Sequence, residues 1–236
     1  MAIFGLVHGG QYGAWCWPAL VGELEIRGHQ GVAIDLRCNE ELDISDYASI
    51  VAGQLRNFGS DVILVGHSLG GATIPVVASV IPVRRMVFLS AAPPEPGRTM
   101  IETMAGHPDF YSSHMSTLMH TSDARGRLVP PSDPQVVHDA FFHDCSADIA
   151  SWARSQLRPQ SQAPIRQACP ISSWPNVPSS MILCEEDRQV NPSWVRRVCR
   201  QMFGEDALEL PGSHSPFLSR PRQLAEMLVA VSGKST

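Results

Sequence analysis

Charge is scarce in this 236-residue chain: Asp, Glu, Lys and Arg make up 17% of it, and the formal net charge is −5. No block of basic residues breaks the pattern, which argues against nucleic acid or an anionic membrane as the main partner. No apolar run approaches the ~20 residues that cross a bilayer. The apolar start, Met1 to Val7, has no basic leader and is too short for a secretory signal, so a cytoplasmic location is expected. The six cysteines (Cys16, Cys38, Cys145, Cys169, Cys184 and Cys199) form no C-x-x-C pair and no metal-ligand spacing. Reduced thiols and no bound metal are the expectation, and Cys184, inside an apolar run, reads as a small buried hydrophobe. Internal repeats and low-complexity segments are absent too.

What remains is ordinary globular material. Hydrophobic residues reach 44%, enough for one domain with a sizeable core, or a core with an insertion. Apolar runs at Ala2–Val7, Gly31–Leu36, Val62–Val65 and Arg85–Leu89 read as strands buried on both faces. Helical spacing fills the gaps between them. Trp15 to Arg27 stops at Gly28, a segment capped by Ser45 or Asp46 runs to about Phe58, and Ala72 to Ile81 follows the third strand. From about Pro93 to Pro178 the alternation lapses. That stretch mixes proline, histidine, methionine and aromatics around short amphipathic pieces, Pro134–Phe142 and Ala147–Leu157. A structureless loop this long is improbable, so residues 95–177 read as a helical cap. Strands resume at Ser180–Cys184 and Ala207–Leu210, with helices at Pro192–Phe203 and Pro221–Ser232. The expected fold is α/β: a mostly parallel sheet of about six strands, helices on both faces, with 1–94 and 178–236 as the core. In such sheets ligands bind beyond the carboxyl ends of the strands.

Three strand ends carry chemistry. After the third comes Gly66-His67-Ser68-Leu69-Gly70. A serine on a sharp strand-to-helix turn takes an unfavourable backbone conformation, and glycines two residues either side avoid collisions with neighbouring chain. Ser68 is therefore the candidate nucleophile. Its alcohol needs a base, and the base an orienting acid. Of nine histidines, His214 follows the last strand and reaches the same sheet edge. His67 adjoins Ser68, but adjacent residues on a turn point apart. His8 reads as a buried imidazole bonded to its own turn. His107, His114, His120, His138 and His143 fall in the cap. For the acid, Glu185-Glu186-Asp187 follows the fifth strand. Asp187 lies furthest along that loop and is favoured, with Glu185, Glu186 and Glu95 as alternatives. An oxyanion needs two donors. The N–H of Leu69 is one, and the glycine-rich loop after the first strand offers the N–H of Gly10 as the other. That loop, His8-Gly9-Gly10, has neither Gly-x-Gly-x-x-Gly nor Gly-Lys-Ser/Thr, which argues against phosphate binding.

Taken together, His8-Gly9-Gly10-Gln11-Tyr12-Gly13-Ala14-Trp15-Cys16-Trp17, Val65-Gly66-His67-Ser68-Leu69-Gly70-Gly71 and the Asp187 and His214 segments resemble the α/β-hydrolase superfamily. The likeness is to its small serine esterase branch, related to plant methyl-ester esterases and hydroxynitrile lyases. The lyases carry threonine after the first-loop histidine and lysine after the catalytic one, where this chain has Gly9 and Ser215, so the resemblance implies ester hydrolysis over cyanohydrin cleavage. It also implies a sheet lacking the family's usual first two strands. The expectation is a small, moderately hydrophobic carboxylic ester, lactone or carbamate as substrate, no cofactor, and a triad of Ser68, His214 and Asp187. Tyr12, Phe141 and Trp152 are candidates for substrate contact, with Met100, Met104, Phe142 and Trp174 beside them. Two rival readings stand: carbon–carbon hydrolysis, lyase or cyclase chemistry on a polyketide-like substrate, and a non-catalytic small-molecule receptor. A homodimer stays open.

Overall fold

The computed structural model describes residues 1–114 and 121–233; His120 lies outside them. Apolar segments form β1 (Ile3–Val7), β2 (Gln30–Ile34), β3 (Val62–His67) and β4 (Arg85–Leu89). A two-residue ribbon, β5 (Thr121–Ser122) with β6 (Leu128–Val129), stands apart, and β7 (Ser179–Cys184) and β8 (Leu208–Leu210) complete the set. Six strands make one sheet in the order β2-β1-β3-β4-β7-β8, every neighbouring pair parallel. The sheet is that of an α/β hydrolase fold.

Strand residues face two ways, and both faces are dry. Ile3, Val7, Val62, Leu64, Met86 and Phe88 pack under the helices Ile44–Leu55, Gly70–Ala78 and Pro192–Phe203. Their alternates Phe4, Leu6, Ile63, Val65, Val87 and Leu89 pack under Pro18–Ile26 and Pro221–Ser232. Covering both faces is what makes each strand a continuous apolar run.

Local chemistry moves some expected boundaries. Pro18, which has no N–H to give, opens its helix, so Ala14–Cys16 forms a separate 3₁₀ turn. The second helix is capped by Asp43, whose carboxylate accepts from the N–H groups of Ser45 and Asp46, two or three residues before the expected cap. Pro134–Phe142 splits into a short α-turn and a π-turn at His138–Phe142.

The strand order reverses beside β1: β2 lies on one side of it and β3 on the other. That reversal opens a crevice at the carboxyl ends of β1 and β3. The register brings Val7 level with Gly66 and His67 level with Leu89. His8, Ser68 and Ser90 therefore leave their strands side by side. The segment between β4 and β7 folds back over this edge through a Tyr111–Val190 bridge and backbone hydrogen bonds from Arg158 to Gln11 and from Ser161 to Cys38.

Candidate active site

Ser68 sits at φ +49, in the left-handed region that a side chain rarely occupies. Two hydrogen bonds pin it there: its N–H donates to the Leu89 carbonyl (3.0 Å), and its carbonyl accepts from Gly71 N–H (2.9 Å). The flanking glycines are sterically required. A Cβ on Gly66 would lie 2.8 Å from Gly70 O, and one on Gly70 would lie 2.5 Å from Val7 O. The strained turn lifts Ser68 to the wall of a cavity of about 290 Å³.

The loop after β1 closes over the serine. A Cβ on Gly9 would fall 2.8 Å from the Ser68 Cβ, so this backbone lies against the nucleophile candidate. His8 sets the loop's base. Its Nε2 accepts from Leu36 N–H (3.0 Å), which leaves the proton on Nδ1 to donate to Gly9 O (2.8 Å). Gly10 and Leu69 both line the cavity. Among the described residues, no protein acceptor takes up the N–H of either.

The candidate acid and base meet. Asp187 Oδ2 accepts from His214 Nδ1–H at 2.8 Å, both side chains almost fully buried. The other oxygen, Oδ1, accepts from the N–H groups of Gln189 (2.8 Å) and Val190 (3.1 Å). This Asx turn singles out Asp187: Glu185 and Glu186 are exposed, and Glu95 is half-buried and pairs with Arg98. His214 is held from behind. His67 Nε2–H donates to the His214 carbonyl (2.9 Å), with the two rings 4.5 Å apart, and the Ser215 hydroxyl hydrogen-bonds the Tyr12 phenol at 2.7 Å. Burial, with help from the adjacent His214 ring, pushes the His67 pKa well below the ordinary histidine value, so His67 stays neutral. Burial likewise pushes the Tyr12 phenol well up, keeping its proton in the hydrogen bond. The Ser68 hydroxyl makes no hydrogen bond to another described group; such contacts commonly tighten only with substrate in place.

The cavity wall is mostly apolar, from Met100, Met104, Phe110, Phe141, Ile165 and Val190, and none of the described residues on it is charged. Phe141, Met100 and Met104 are where the sequence placed them. Tyr12 and Trp152 are not. Tyr12 turns away from the cavity into the core behind the His214 loop, because Gln11 at φ +69 reverses the chain and takes the cavity position. Trp152 is 47% exposed and packs edge-on against Trp15. Phe142 and Trp174 are also off the wall, Trp174 stacking on Phe88. His107 packs on Trp194, and His143 Nε2–H donates to Glu186 O. The polar wall residues Gln11, Gln160 and Gln189 had gone unnoticed. Their only signal in the sequence was position, next to Gly10 and two residues past Asp187. Among the described residues no cluster of side chains could hold a metal ion, and no helix is long and apolar enough to cross a membrane.

A parallel sheet with a strained serine turn, a buried Asp–His pair and a glycine loop at one edge is the arrangement of the α/β-hydrolase fold. The sequence model of the Alpha/beta hydrolase family matches residues 6–227, and the chain belongs to that family. Among curated relatives, "Putative methylesterase 15, chloroplastic" of Arabidopsis thaliana is 29% identical over 97% of this chain. The chain spans 56% of that protein's length. Polyneuridine aldehyde esterase of Rauvolfia serpentina is 25% identical over 97% of this chain and 95% of its own. The crystal structure of a pyrethroid hydrolase from Sphingobium faniae matches with a TM-score of 0.82 at 28% identity, covering 98% of this chain and 97% of that one.

Proposed function

We propose that the chain is a serine hydrolase that cleaves a small, uncharged, moderately hydrophobic carboxylic ester. The observation that carries this is the buried Asp187–His214 hydrogen bond, tied through the His67 ring to the strained turn that sets Ser68 on the wall of a cavity with no charged residue among those described. Relatives named methylesterase, esterase and pyrethroid hydrolase support an ester as the bond attacked.

On this reading the reaction runs in two halves. Ser68 Oγ attacks the ester carbonyl carbon while His214 Nε2 takes its proton. Asp187 keeps the other imidazole proton on Nδ1, so that Nε2 presents a lone pair, and its charge steadies the imidazolium. The carbonyl oxygen becomes an oxyanion between the N–H groups of Gly10 and Leu69. Each such donor contributes roughly 3 kcal/mol to the barrier reduction. Collapse breaks the bond to the alcohol, which leaves with the proton from His214. Water then repeats the sequence on the acyl-Ser68 ester, releasing the acid and restoring the serine. The segment 95–177 acts as a cap, since it supplies Met100, Met104, Phe110, Phe141 and Ile165 to the wall.

The test joins a fluorophosphonate probe to a panel of p-nitrophenyl and methyl esters. The wild-type chain is labelled on Ser68 and turns over esters, and Ser68→Ala abolishes labelling and lowers kcat by several powers of ten. A Ser68→Ala protein that keeps more than a tenth of turnover refutes the assignment.

A further inference from the structure

The two glutamines Gln11 and Gln189 differ from the other buried or structural glutamines of this fold. Gln160 gives its amide hydrogens to the Tyr47 hydroxyl (3.2 Å) and the Ser161 carbonyl (2.8 Å), and its oxygen accepts from Gln11 N–H (3.3 Å). Gln167 bonds Asp43, Ser45 and the Ile44 N–H. Gln162 reaches Gly126 O and Arg166. In contrast, the Nε2 atoms of Gln11 and Gln189 are buried without any hydrogen-bond partner, and both residues line the cavity. Gln11 as a whole is only 4% exposed.

An unpaired buried amide destabilises the fold that carries it. Two of them, in one cavity whose remaining wall is largely apolar, call for a common cause. Their places in the chain supply it. Gln11 follows Gly10, at the carboxyl end of β1. Gln189 follows Asp187 by two residues, at the carboxyl end of β7. Because the sheet runs β1-β3-β4-β7, these ends lie on opposite sides of Ser68 at the end of β3. The two residues thus flank, from two directions, the strand end that carries Ser68, and no charged group among the described residues of the cavity wall satisfies their amides.

We propose that Gln11 and Gln189 form a polar subsite that reads a second neutral oxygen function, a ketone, amide, ether or hydroxyl, carried by the ester beyond its scissile bond. This rests on the ester-hydrolase reading of Ser68 and narrows it: the substrate is an oxygenated ester, and a plain hydrocarbon ester is the poorer one. A carboxylate or ammonium on the substrate is disfavoured, since no described residue of the wall offers a counter-charge. A site built to hydrogen-bond a group discriminates against the analogue that lacks it, because the amides then stay unpaired.

The experiment compares kcat/KM for butyl hexanoate, butyl 5-oxohexanoate and 2-methoxyethyl hexanoate, which place the extra oxygen in the acyl or the alcohol part. Wild type, Gln11→Leu and Gln189→Leu are each assayed on all three, so every protein serves as its own reference for folding and active fraction. Fluorophosphonate labelling of Ser68 runs alongside. Wild type is expected to prefer at least one oxygenated ester over butyl hexanoate by about tenfold, and at least one leucine variant to lose that preference. Both variants should also melt at or above the wild-type temperature, because leucine removes an orphaned buried amide. The inference is overturned if wild type labels and turns over butyl hexanoate but handles the oxygenated esters no better. It is equally overturned if the preference survives in both variants. Absence of both labelling and turnover brings down the hydrolase reading and this inference with it.

Discussion

Replacing Asp187 by asparagine separates chemistry from architecture. The side chain has two jobs on two oxygens. Oδ1 accepts the N–H groups of Gln189 and Val190, which shapes the loop after β7. Oδ2 accepts the Nδ1 proton of His214 at 2.8 Å. Asparagine can keep its oxygen on the two N–H groups, so the loop survives. Its NH₂ then points at Nδ1, which must present a lone pair, and the imidazole proton moves to Nε2. In that tautomer Nε2 cannot accept the Ser68 proton. The loss expected in kcat is about 10⁴-fold, or about 5 kcal/mol of transition-state stabilisation. Thermal stability should change little. Asp187→Ala gives the contrast: it removes the acceptor of both loop N–H groups as well, adding roughly 1–3 kcal/mol of destabilisation for each N–H left without a partner. Steady-state hydrolysis of a p-nitrophenyl ester, read with the melting temperature of each variant, resolves the two effects. An asparagine variant with more than a tenth of wild-type kcat would refute the role given to the Asp187–His214 pair.

Further expectations concern the scaffold. The depressed pKa of His67 means that the unfolded chain, with a histidine near 6.5, binds the proton first. Its contribution is therefore complete above about pH 6.5 and drains away as pH falls below it, at up to about 1.4 kcal/mol per pH unit until the folded-state pKa is passed. Denaturant titrations at pH 7.5 and 5.5 should show a steeper acid loss in wild type than in His67→Gln; equal losses would contradict it. Gly70→Ala should lower stability by about 3 kcal/mol or more, since its Cβ would meet the Val7 and His8 carbonyl oxygens, which are backbone atoms at the end of β1 and cannot swing aside. Gly53→Ala, with nothing within 4 Å in the helix Ile44–Leu55, should raise it by about 1 kcal/mol. Melting curves of the two distinguish steric need from mere glycine preference. Tyr12→Phe leaves the Ser215 hydroxyl unpaired; its measurable outcome is a destabilisation of about 1 kcal/mol.

The sheet was easy to read because burial on both faces writes each strand as an unbroken apolar run, as at Val62–Val65 and Arg85–Leu89. The candidate reactive residues were readable for a related reason: a parallel sheet delivers its loops to one edge, so Ser68, Asp187 and His214 could be matched by the strand each follows. Choosing among Glu185, Glu186 and Asp187 was harder, and the deciding contact is local, an Asx turn onto residues two and three further on. The wall was the least legible part. Aromatic residues were expected to line it, yet Tyr12 is spent on anchoring the His214 loop and Trp152 on covering Trp15. A single backbone angle, at Gln11, exchanges which of two neighbours sees the cavity, and no periodicity reports a single angle. Side chains supplied by an irregular segment follow its path over the sheet edge, which short amphipathic pieces such as Pro134–Phe142 do not determine.

The division between legible and illegible parts has a mechanistic consequence. The candidate catalytic groups are fixed by atoms of the sheet edge: Ser68 N–H on Leu89 O, Asp187 on the N–H groups of Gln189 and Val190, and the His214 carbonyl on the His67 ring Nε2–H. The wall comes largely from residues between β4 and β7, and their links to these anchors run through main-chain atoms of that segment: the Tyr111–Val190 bridge, the Ser112 N–H on Gln189 O (2.9 Å) and the Ser213 hydroxyl on Phe141 O (3.2 Å). Changes to the wall should therefore redirect substrate choice without disarming the serine. Met104→Ala enlarges the cavity beside Tyr111, whose hydroxyl contacts the Met104 sulfur at 3.1 Å. It should shift the preferred acyl or alcohol length upward while the rate of fluorophosphonate labelling stays within about threefold of wild type, well under the tenfold that 1.4 kcal/mol would give. Labelling that falls in step with ester turnover would mean that wall and nucleophile are mechanically coupled, and that the sheet edge alone does not position Ser68.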